Sequence, residues 1–410
     1  MNESTTPVII AALRTPVCRA NGKLRTLRAE HLLAPVLRGL LDSTGVRHGD
    51  VNDVVIGNAV GGGGNVARFA ALEAGLPVSV PGITVDRQCG SGLDAIALAS
   101  RLVAAGGDGI YLAGGVESIS TAPLRAHRDE SGEPLFYDRA RFVPPAFDDP
   151  DMGVAADTVA AEYRVSRRRQ DEFALLSHQR ALEAAAAGRF SDEIVPLQTP
   201  GGPVKSDDGP RPSLNASLMA RFPPAFVPDG SVTAGNSCFD ADAAAAVVIT
   251  SLGRARSLGA AEGLVVLGTE TTGVDPTLLG IGAAEASRRL LDRHGLEPGA
   301  LDLVEFNEAF ASQTLACLDA LDLRPERVNR DGGALALGHA YGASGAVLVT
   351  RLLAQARQRS LENDGDSALN MASSPGGMRS EDIGQLAMAM ISIAGGMGTS
   401  MLFRYASLDA

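Results

Sequence analysis

Along the chain, short apolar runs alternate with stretches in which apolar residues recur at helical spacing. The first run is Val8–Ala11. A turn-rich segment, Arg14–Gly22, separates it from a helical pattern at Leu27–Leu41. A strand is predicted at Val54–Ile56, then the glycine run Gly61–Gly64 and a helix at Val66–Ala74. Next come a strand at Pro81–Val85, a tight turn Cys89-Gly90-Ser91-Gly92, a helix at Leu93–Ala105 and a strand at Gly109–Ala113. This alternation predicts an α/β fold with layered sheets. The pattern changes between Pro123 and Gly235, where a charged helix at Arg167–Ala187 lies among proline-rich loops at Pro200–Pro212 and Pro223–Pro228. It resumes with strands at Ala244–Thr250, Gly263–Leu267 and Leu301–Phe306.

These shifts set the expected organisation. Residues 1–122 form a first α/β half, 123–235 an inserted loop domain, 236–262 the completion of the first half, and 263–410 a second half. Within the second half, Leu361 to about Gln385 is polar and rich in Ser, Gly, Asp and Asn. It reads as an insertion before the last strand pair, longer than connections usually are. An internal repeat supports two halves. "GITVDRQCGSGLDAIALA" followed by "YLAGGVES" is echoed by "ERVNRDGGALALGHAYGASGAVLV" followed by "ISIAGGMGTS". Each copy is a strand, a glycine-rich turn, a long helix and a strand ending in Ala-Gly-Gly. Such a duplication can bring two reactive turns to one cleft.

Composition narrows the classes. The chain has 410 residues, 45% hydrophobic and 20% charged, enough for a large core. A net charge of −12 gives no basic footprint for nucleic acid. No apolar run of membrane-spanning length is present, so no membrane partner is expected. Met1–Pro7 has no signal-peptide pattern, and a cytoplasmic location is expected. The four cysteines, Cys18, Cys89, Cys238 and Cys317, are scattered. They suggest neither a disulfide framework nor a zinc site. No metal site has supporting ligand spacing. The run Gly61–Gly64 lacks the Gly-Lys-Ser/Thr of a phosphate loop.

Three positions carry chemistry. Cys89 sits between a predicted strand and helix, where the helix dipole favours thiolate, the nucleophile of acyl transfer. Free cysteines are often only small buried apolar residues, but this turn sets Cys89 apart. His339, in Gly338-His339-Ala340-Tyr341-Gly342, suits a base for a thiol or a donor to an acyl oxygen. Asn307, with Glu308 at a strand end, could orient water or an oxyanion, or simply cap a helix.

Several blocks together resemble the thiolase family: "DRQCGSGLDAI", "GGVESIS", "MGVAADTVAAEYRVSRRRQDEFALLSHQRA", "DGSVTAGNS", "FNEAFA", "GGALALGHAYGASGA" and "AGGMGTSMLF". They run in family order from about Val8 to Arg404. The resemblance implies the thiolase fold: two α/β halves stacked as five layers (αβαβα) with an inserted loop domain. It implies an acyltransferase acting on 3-ketoacyl-CoA-type thioesters. Cys89 matches the acylated nucleophile, His339 its activator, and Asn307 the residue holding a water in one oxyanion hole. The backbone N–H groups of Cys89 and Ala394 match the second oxyanion hole. Arg221, Ser237, Cys238 and Phe239 would meet the coenzyme A portion. No permanently bound cofactor is implied, only a thioester on coenzyme A or an acyl carrier, and a homodimer or tetramer.

The sequence departs from the family at several of these positions. Ser392 stands where the family has a second cysteine that moves the α-proton of the second substrate. A hydroxyl is a far weaker acid than a thiol, and general acid–base catalysis needs a pKa near the working pH. Non-decarboxylative Claisen chemistry is therefore expected to be impaired. Cys238-Phe239 replaces a Ser-Gly pair along the pantetheine path, and Phe239 is expected to narrow or redirect it. Ala340 replaces a proline, Asp86 an asparagine, and Ala394 a glycine. Three readings follow. The first is acyl transfer from Cys89 to an acceptor made by decarboxylation, or to an amine or alcohol, in specialised biosynthesis. The second is ordinary acetyl-CoA C-acyltransferase activity. The third is a non-catalytic subunit beside an active partner.

Overall fold

The computed structural model describes residues 2–370 and 385–408. Strand β1 (Pro7–Arg14) is buried along nearly its whole length. Helix α1 (Ala29–Thr44) buries its apolar side and stops at Gly45, whose left-handed backbone suits glycine. Strand β2 (Val51–Gly57), helix α2 (Val66–Glu73), strand β3 (Gly82–Val85), helix α3 (Ser91–Ala104) and strand β4 (Ile110–Glu117) follow. Strand β5 (Ala241–Ser251) completes the first half. Every residue in it is buried, and its run of alanines suits a strand packed on both faces.

The second half repeats this plan. It comprises β6 (Glu262–Gly273), α6 (Gly282–His294), β7 (Leu303–Phe306), α7 (Ala311–Ala320), α8 (Tyr341–Asn370), β8 (Leu386–Ile393) and β9 (Met397–Ser407). The first half runs β3-β2-β4-β5-β1 across the sheet, and the second runs β7-β8-β9-β6. Val328 bridges β7 in parallel, where the first half has β3. Pairing is parallel from β3 through β2 to β4, then antiparallel through β5 to β1. The second half matches it, parallel between β7 and β8, then antiparallel through β9 to β6. Both first strands carry a register shift, between Ile9 and Ala11 and between Val266 and Gly268. The halves join where β1 and β6 run antiparallel, Val8 opposite Val265 and Ile9 opposite Leu264. The faint sequence repeat is thus a structural duplication.

Three apolar cores separate the layers. One lies between α1, α2 and the first half of the sheet. A central core holds α3 and α8 between the halves. A third lies between α6, α7 and the second half. This is the expected α/β arrangement of five layers, and the central layer positions both reactive turns.

Segment 123–235 holds more regular structure than its loop-rich sequence suggests. Helix α5 (Arg167–Ala186) starts at Ser166, whose hydroxyl caps the Arg169 N–H. A second helix, α4 (Met152–Glu162), buries Ala155, Ala156 and Val159. Two hairpins accompany them, Arg125–Arg128 with Pro134–Tyr137 and Leu197–Thr199 with Gly202–Val204. The polar stretch from Leu361, expected as an insertion, begins as helix. Its first residues continue α8 to Asn370, and the rest, 371–384, lies outside the described residues. Among the described residues, no helix is long and apolar enough to cross a membrane.

Candidate active site

Cys89 lies at the turn between β3 and α3. Gln88 just before it has φ 48°, a left-handed conformation that a non-glycine residue adopts only when its surroundings hold it there. Asp86 supplies that hold, its Oδ1 accepting from the Gln88 N–H at 2.7 Å. Gln88 Nε2 also donates to both Asp86 oxygens at 3.3 Å, so aspartate adds an acceptor that asparagine would lack. The glycines of the turn admit neighbours rather than expose the sulfur. A Cβ at Gly90 would collide with Ile393, and one at Gly92 with the carbonyl oxygen of Gly342.

Backbone contacts tie the site blocks into one unit. The Asn307 N–H donates to the Met390 carbonyl at 3.2 Å, and the Cys238 N–H to the Ala309 carbonyl at 3.0 Å. The His339 N–H donates to the Phe239 carbonyl at 2.9 Å. On the other side, the Gly342 N–H donates to Glu117 at 3.0 Å. The same carboxylate accepts from the Ala59 N–H at 3.0 Å, the Val60 N–H at 3.1 Å and Asn58 Nδ2 at 2.7 Å. Burial pushes Glu117 up to about 7. Sequence reasoning missed this brace. Its signal is an acidic residue ending an otherwise apolar strand.

The electrostatics overturn one expectation. Burial pushes the Cys89 thiol up to about 12, against the lowering by the N–H groups of Ala394 and Cys89 itself. Burial outweighs the helix dipole, so the resting residue is a thiol. The two N–H groups are those expected to form an oxyanion hole, and both address the sulfur. His339 is buried and pulled down to about 4 by desolvation, so its ring is neutral. Its Nδ1 meets Ser344 Oγ at 2.7 Å, while its Nε2 has no protein partner. Asn307 Nδ2 is likewise buried without a partner. Two unpaired buried nitrogens within one tied unit suit a site that receives oxygen atoms or a proton. Next to the histidine, Tyr341 has φ 28° and donates to Asp240 at 2.8 Å.

Ser392 is built differently. Its neighbours Ile391 and Ile393 face the central core, and its own hydroxyl meets the outer layer. The hydroxyl donates to the Gly280 carbonyl at 2.6 Å and accepts from the Ala283 N–H at 3.2 Å and Gln313 Nε2 at 3.4 Å. None of these partners is a carboxylate or an imidazole. Cys317, fully buried on α7, donates to the same Gly280 carbonyl at 3.2 Å, and burial pushes its thiol up to about 12.

A cavity of about 260 Å³ opens beside this unit, lined in part by Ser237, Cys238, Phe239, Arg19 and Arg211. The guanidinium of Arg19 lies 3.9 Å from the centre of the Phe239 ring. Arg221 lies outside that lining and is exposed, although the adjacent Phe222 packs on Gly235 in the cavity wall. Arg19 and Arg211 were missed by sequence reasoning. Pairing of Cys18–Arg19 with β5 and a proline-rich loop bring them together across the chain. Among the described residues, no group of three or more His, Cys, Asp or Glu could hold a metal ion.

Comparison with known proteins agrees with this architecture. Residues 7–252 match the family described as "Thiolase, N-terminal domain", and residues 264–378 match "Thiolase, C-terminal domain". A protein of Staphylococcus epidermidis named "Putative acetyl-CoA C-acetyltransferase VraB" is 43% identical over 350 residues, covering 84% of this chain and 91% of its own. Its namesake in Staphylococcus haemolyticus is 42% identical over 400 residues, covering 97% of this chain and 98% of its own. The crystal structure of the Bacillus anthracis acetyl-CoA acetyltransferase superposes with a TM-score of 0.87 at 33% identity. It covers 99% of this chain and all of that one.

Proposed function

Because the chain belongs to the thiolase family, whose members are acyltransferases, we propose that it takes an acyl group from an acyl-CoA onto Cys89 and passes it to an acceptor that needs no α-proton removed by the protein. In the first step the thiol proton moves to His339 Nε2 and the sulfur attacks the thioester carbonyl. The developing oxyanion meets the N–H groups of Cys89 and Ala394, and the coenzyme thiolate leaves with the proton. Asn307, through a water, and His339 hold the carbonyl oxygen of the second substrate. Arg19 and Arg211 suit the anionic part of the donor, with Arg221 near the mouth, and Phe239 constricts the path to the sulfur.

The observation that carries this reading is the contrast between an equipped Cys89 and a hydroxyl tied to a carbonyl at Ser392. A thiol near 8.5 and a hydroxyl near the ~16 of water differ by about 7 pKa units, or roughly 10 kcal/mol. No acceptor at Ser392 offsets that difference. The acceptor is therefore a carbanion generated by decarboxylation, or an amine or alcohol, as in specialised biosynthesis. The activity in the relatives' names, acetyl-CoA C-acetyltransferase, is the second reading. Their 42–43% identity across most of the chain favours it.

Incubation with acetyl-CoA followed by intact-protein and peptide mass measurement tests the proposal. An acetyl adduct on Cys89 without cleavage of acetoacetyl-CoA supports it. No adduct on Cys89 sinks it, and rapid acetoacetyl-CoA thiolysis favours the second reading. A homodimer or tetramer belongs to the same proposal. Exposed Leu135 and Phe136 on one hairpin with Leu124 just before it, and Ile83, Leu98 and Leu102 on β3 and α3, support it. Sedimentation at equilibrium measures that state.

A further inference from the structure

Acylation as proposed moves a proton from Cys89 to His339, yet burial leaves both groups reluctant to carry charge. The thiol is held up, the imidazole is held down, and the imidazolium would sit in the central layer with its second nitrogen against Ser344. The proton therefore needs somewhere to go beyond the ring.

A void of about 30 Å³, large enough for a water molecule, is lined by Ser344, whose hydroxyl meets His339 Nδ1. Its polar walls are Ser344, Asn307, Glu305 and Arg351. Two buried donors of these residues, Asn307 Nδ2 and Arg351 Nε, have no protein partner, as a water-holding void requires. Ser344, Arg351 and Gln355 follow one another along one side of α8, so a single helix face runs from the histidine to Glu305. Gln355 Nε2 donates to Glu305 Oε1 at 2.9 Å.

Glu305 is the odd carboxylate in a buried ionic network. Arg14 pairs with Glu193 and Asp207, Arg351 with Glu193 and Asp331, and Arg189 with Asp331. Three guanidinium groups thus meet three carboxylates. Among the described residues Glu305 makes no ion pair, and it adds a fourth negative charge when ionised. The groups facing it are Arg351 and Gln355 from α8, Asp331 and Glu308 from neighbouring turns, and Arg180 from α5. Burial and the like charges push it up to about 8, with Arg351 opposing.

We infer that Glu305 is the remote proton acceptor for the Cys89–His339 pair, reached through Ser344 and water in the void. The inference rests on the reading of Cys89 as nucleophile and His339 as its base. The Cys89 S–H bond breaks and its proton binds His339 Nε2. The Nδ1 proton passes to Ser344 Oγ, and the Ser344 proton passes through water to a Glu305 oxygen. The electron pair stays on sulfur, and Glu305, which must be ionised to act and so acts mainly above its value of about 8, becomes a carboxylic acid. The path reverses when the coenzyme leaves. Glu305 and Ser344 touch no reacting atom and are positioning residues.

The test is Cys89 alkylation by iodoacetamide between about pH 6 and 9.5, read from the mass of the Cys89 peptide. In the unmodified protein the rate climbs through an inflection near the Glu305 value of about 8. Glu305→Gln keeps the shape of the side chain and should erase that inflection and slow alkylation about tenfold at high pH. Ser344→Ala should do the same, independently of any folding defect in the first variant, and Ser344→Thr should restore the inflection. Both Glu305→Gln and Ser344→Ala tracking the unmodified protein within twofold would overturn the relay. A His339→Ala variant with unchanged alkylation would instead overturn the nucleophile–base reading on which it stands.

Discussion

Cys89 and Ser392 stand on the two halves of one duplicated fold, and their surroundings differ in kind. The thiol turn presents two N–H groups to its sulfur and packs at Gly92 on the turn that follows His339, whose neutral ring has a nitrogen without a protein partner. The hydroxyl strand presents its oxygen to a carbonyl, an N–H and an amide of the outer layer. One corner offers N–H groups and a buried unpaired nitrogen, and at the other the hydroxyl's donor and acceptor positions are already taken. The difference teaches that the two reactive positions are held by separate elements, so one can change without disturbing the other.

The largest expected effect separates the two corners directly. Cys89→Ala should abolish the acyl adduct and lower acylation at least about a thousandfold, whereas Ser392→Ala should change acylation less than about threefold. Stopped-flow acylation with acetyl-CoA measures both, and a collapse in Ser392→Ala would show that the corners are not independent. Next in size is Ser392→Cys. Restoring a thiol there should raise exchange of acetyl-CoA methyl protons with heavy water by about 10²-fold, the usual scale of positioned acid–base catalysis. Proton NMR reads the exchange, and a flat result would place the block elsewhere.

Phe239→Gly should have a smaller effect. Removing the ring between Arg19, Gly338 and Gly209 opens the cavity toward the sulfur, so KM for acyl-CoA should fall about threefold to tenfold while kcat changes less than twofold. An unchanged KM would mean the ring does not constrict the path. The last effect concerns stability rather than turnover. Burial raises Glu117 and Glu305 in the folded state, from about 4.5 to about 7 and about 8 respectively. Their contribution is fully present below about pH 4.5 and is lost as pH rises through those values. Urea midpoints should therefore fall between pH 5 and 8, and fall less steeply in Glu305→Gln.

Much of this architecture was legible because strand and helix periods alternate cleanly and the glycine-rich turns recur. The turn at Cys89 and the turn at His339 were visible as local motifs. The direction of the Ser392 hydroxyl was not. "LAMAMISI" is apolar on both faces of a strand packed between layers, so a period of two carries no information about which face is central. Arg14 and Arg351 were equally hidden, since arginine in a sequence reads as surface, and only tertiary pairing with Glu193 reveals burial. Arg19 and Arg211 needed long-range pairing to meet. The stretch after Leu361 has the polar composition of a connector, while the helix before it continues through its first residues.

The packing of the two turns has a consequence for how the protein reaches its working state. The Gly342 carbonyl oxygen lies against Gly92 and Gly115, and Gly345 lies against the backbone of Leu93. Cys89 comes from one half and His339 from the other, and at Gly92 and Gly115 the turn after His339 meets the first half backbone to backbone. Neither half folded alone would contain a partial site that later improves. Catalytic competence should appear only when the halves dock, in a single late event of folding, and a side chain at any of these glycines would hold the halves apart in a folded but silent chain.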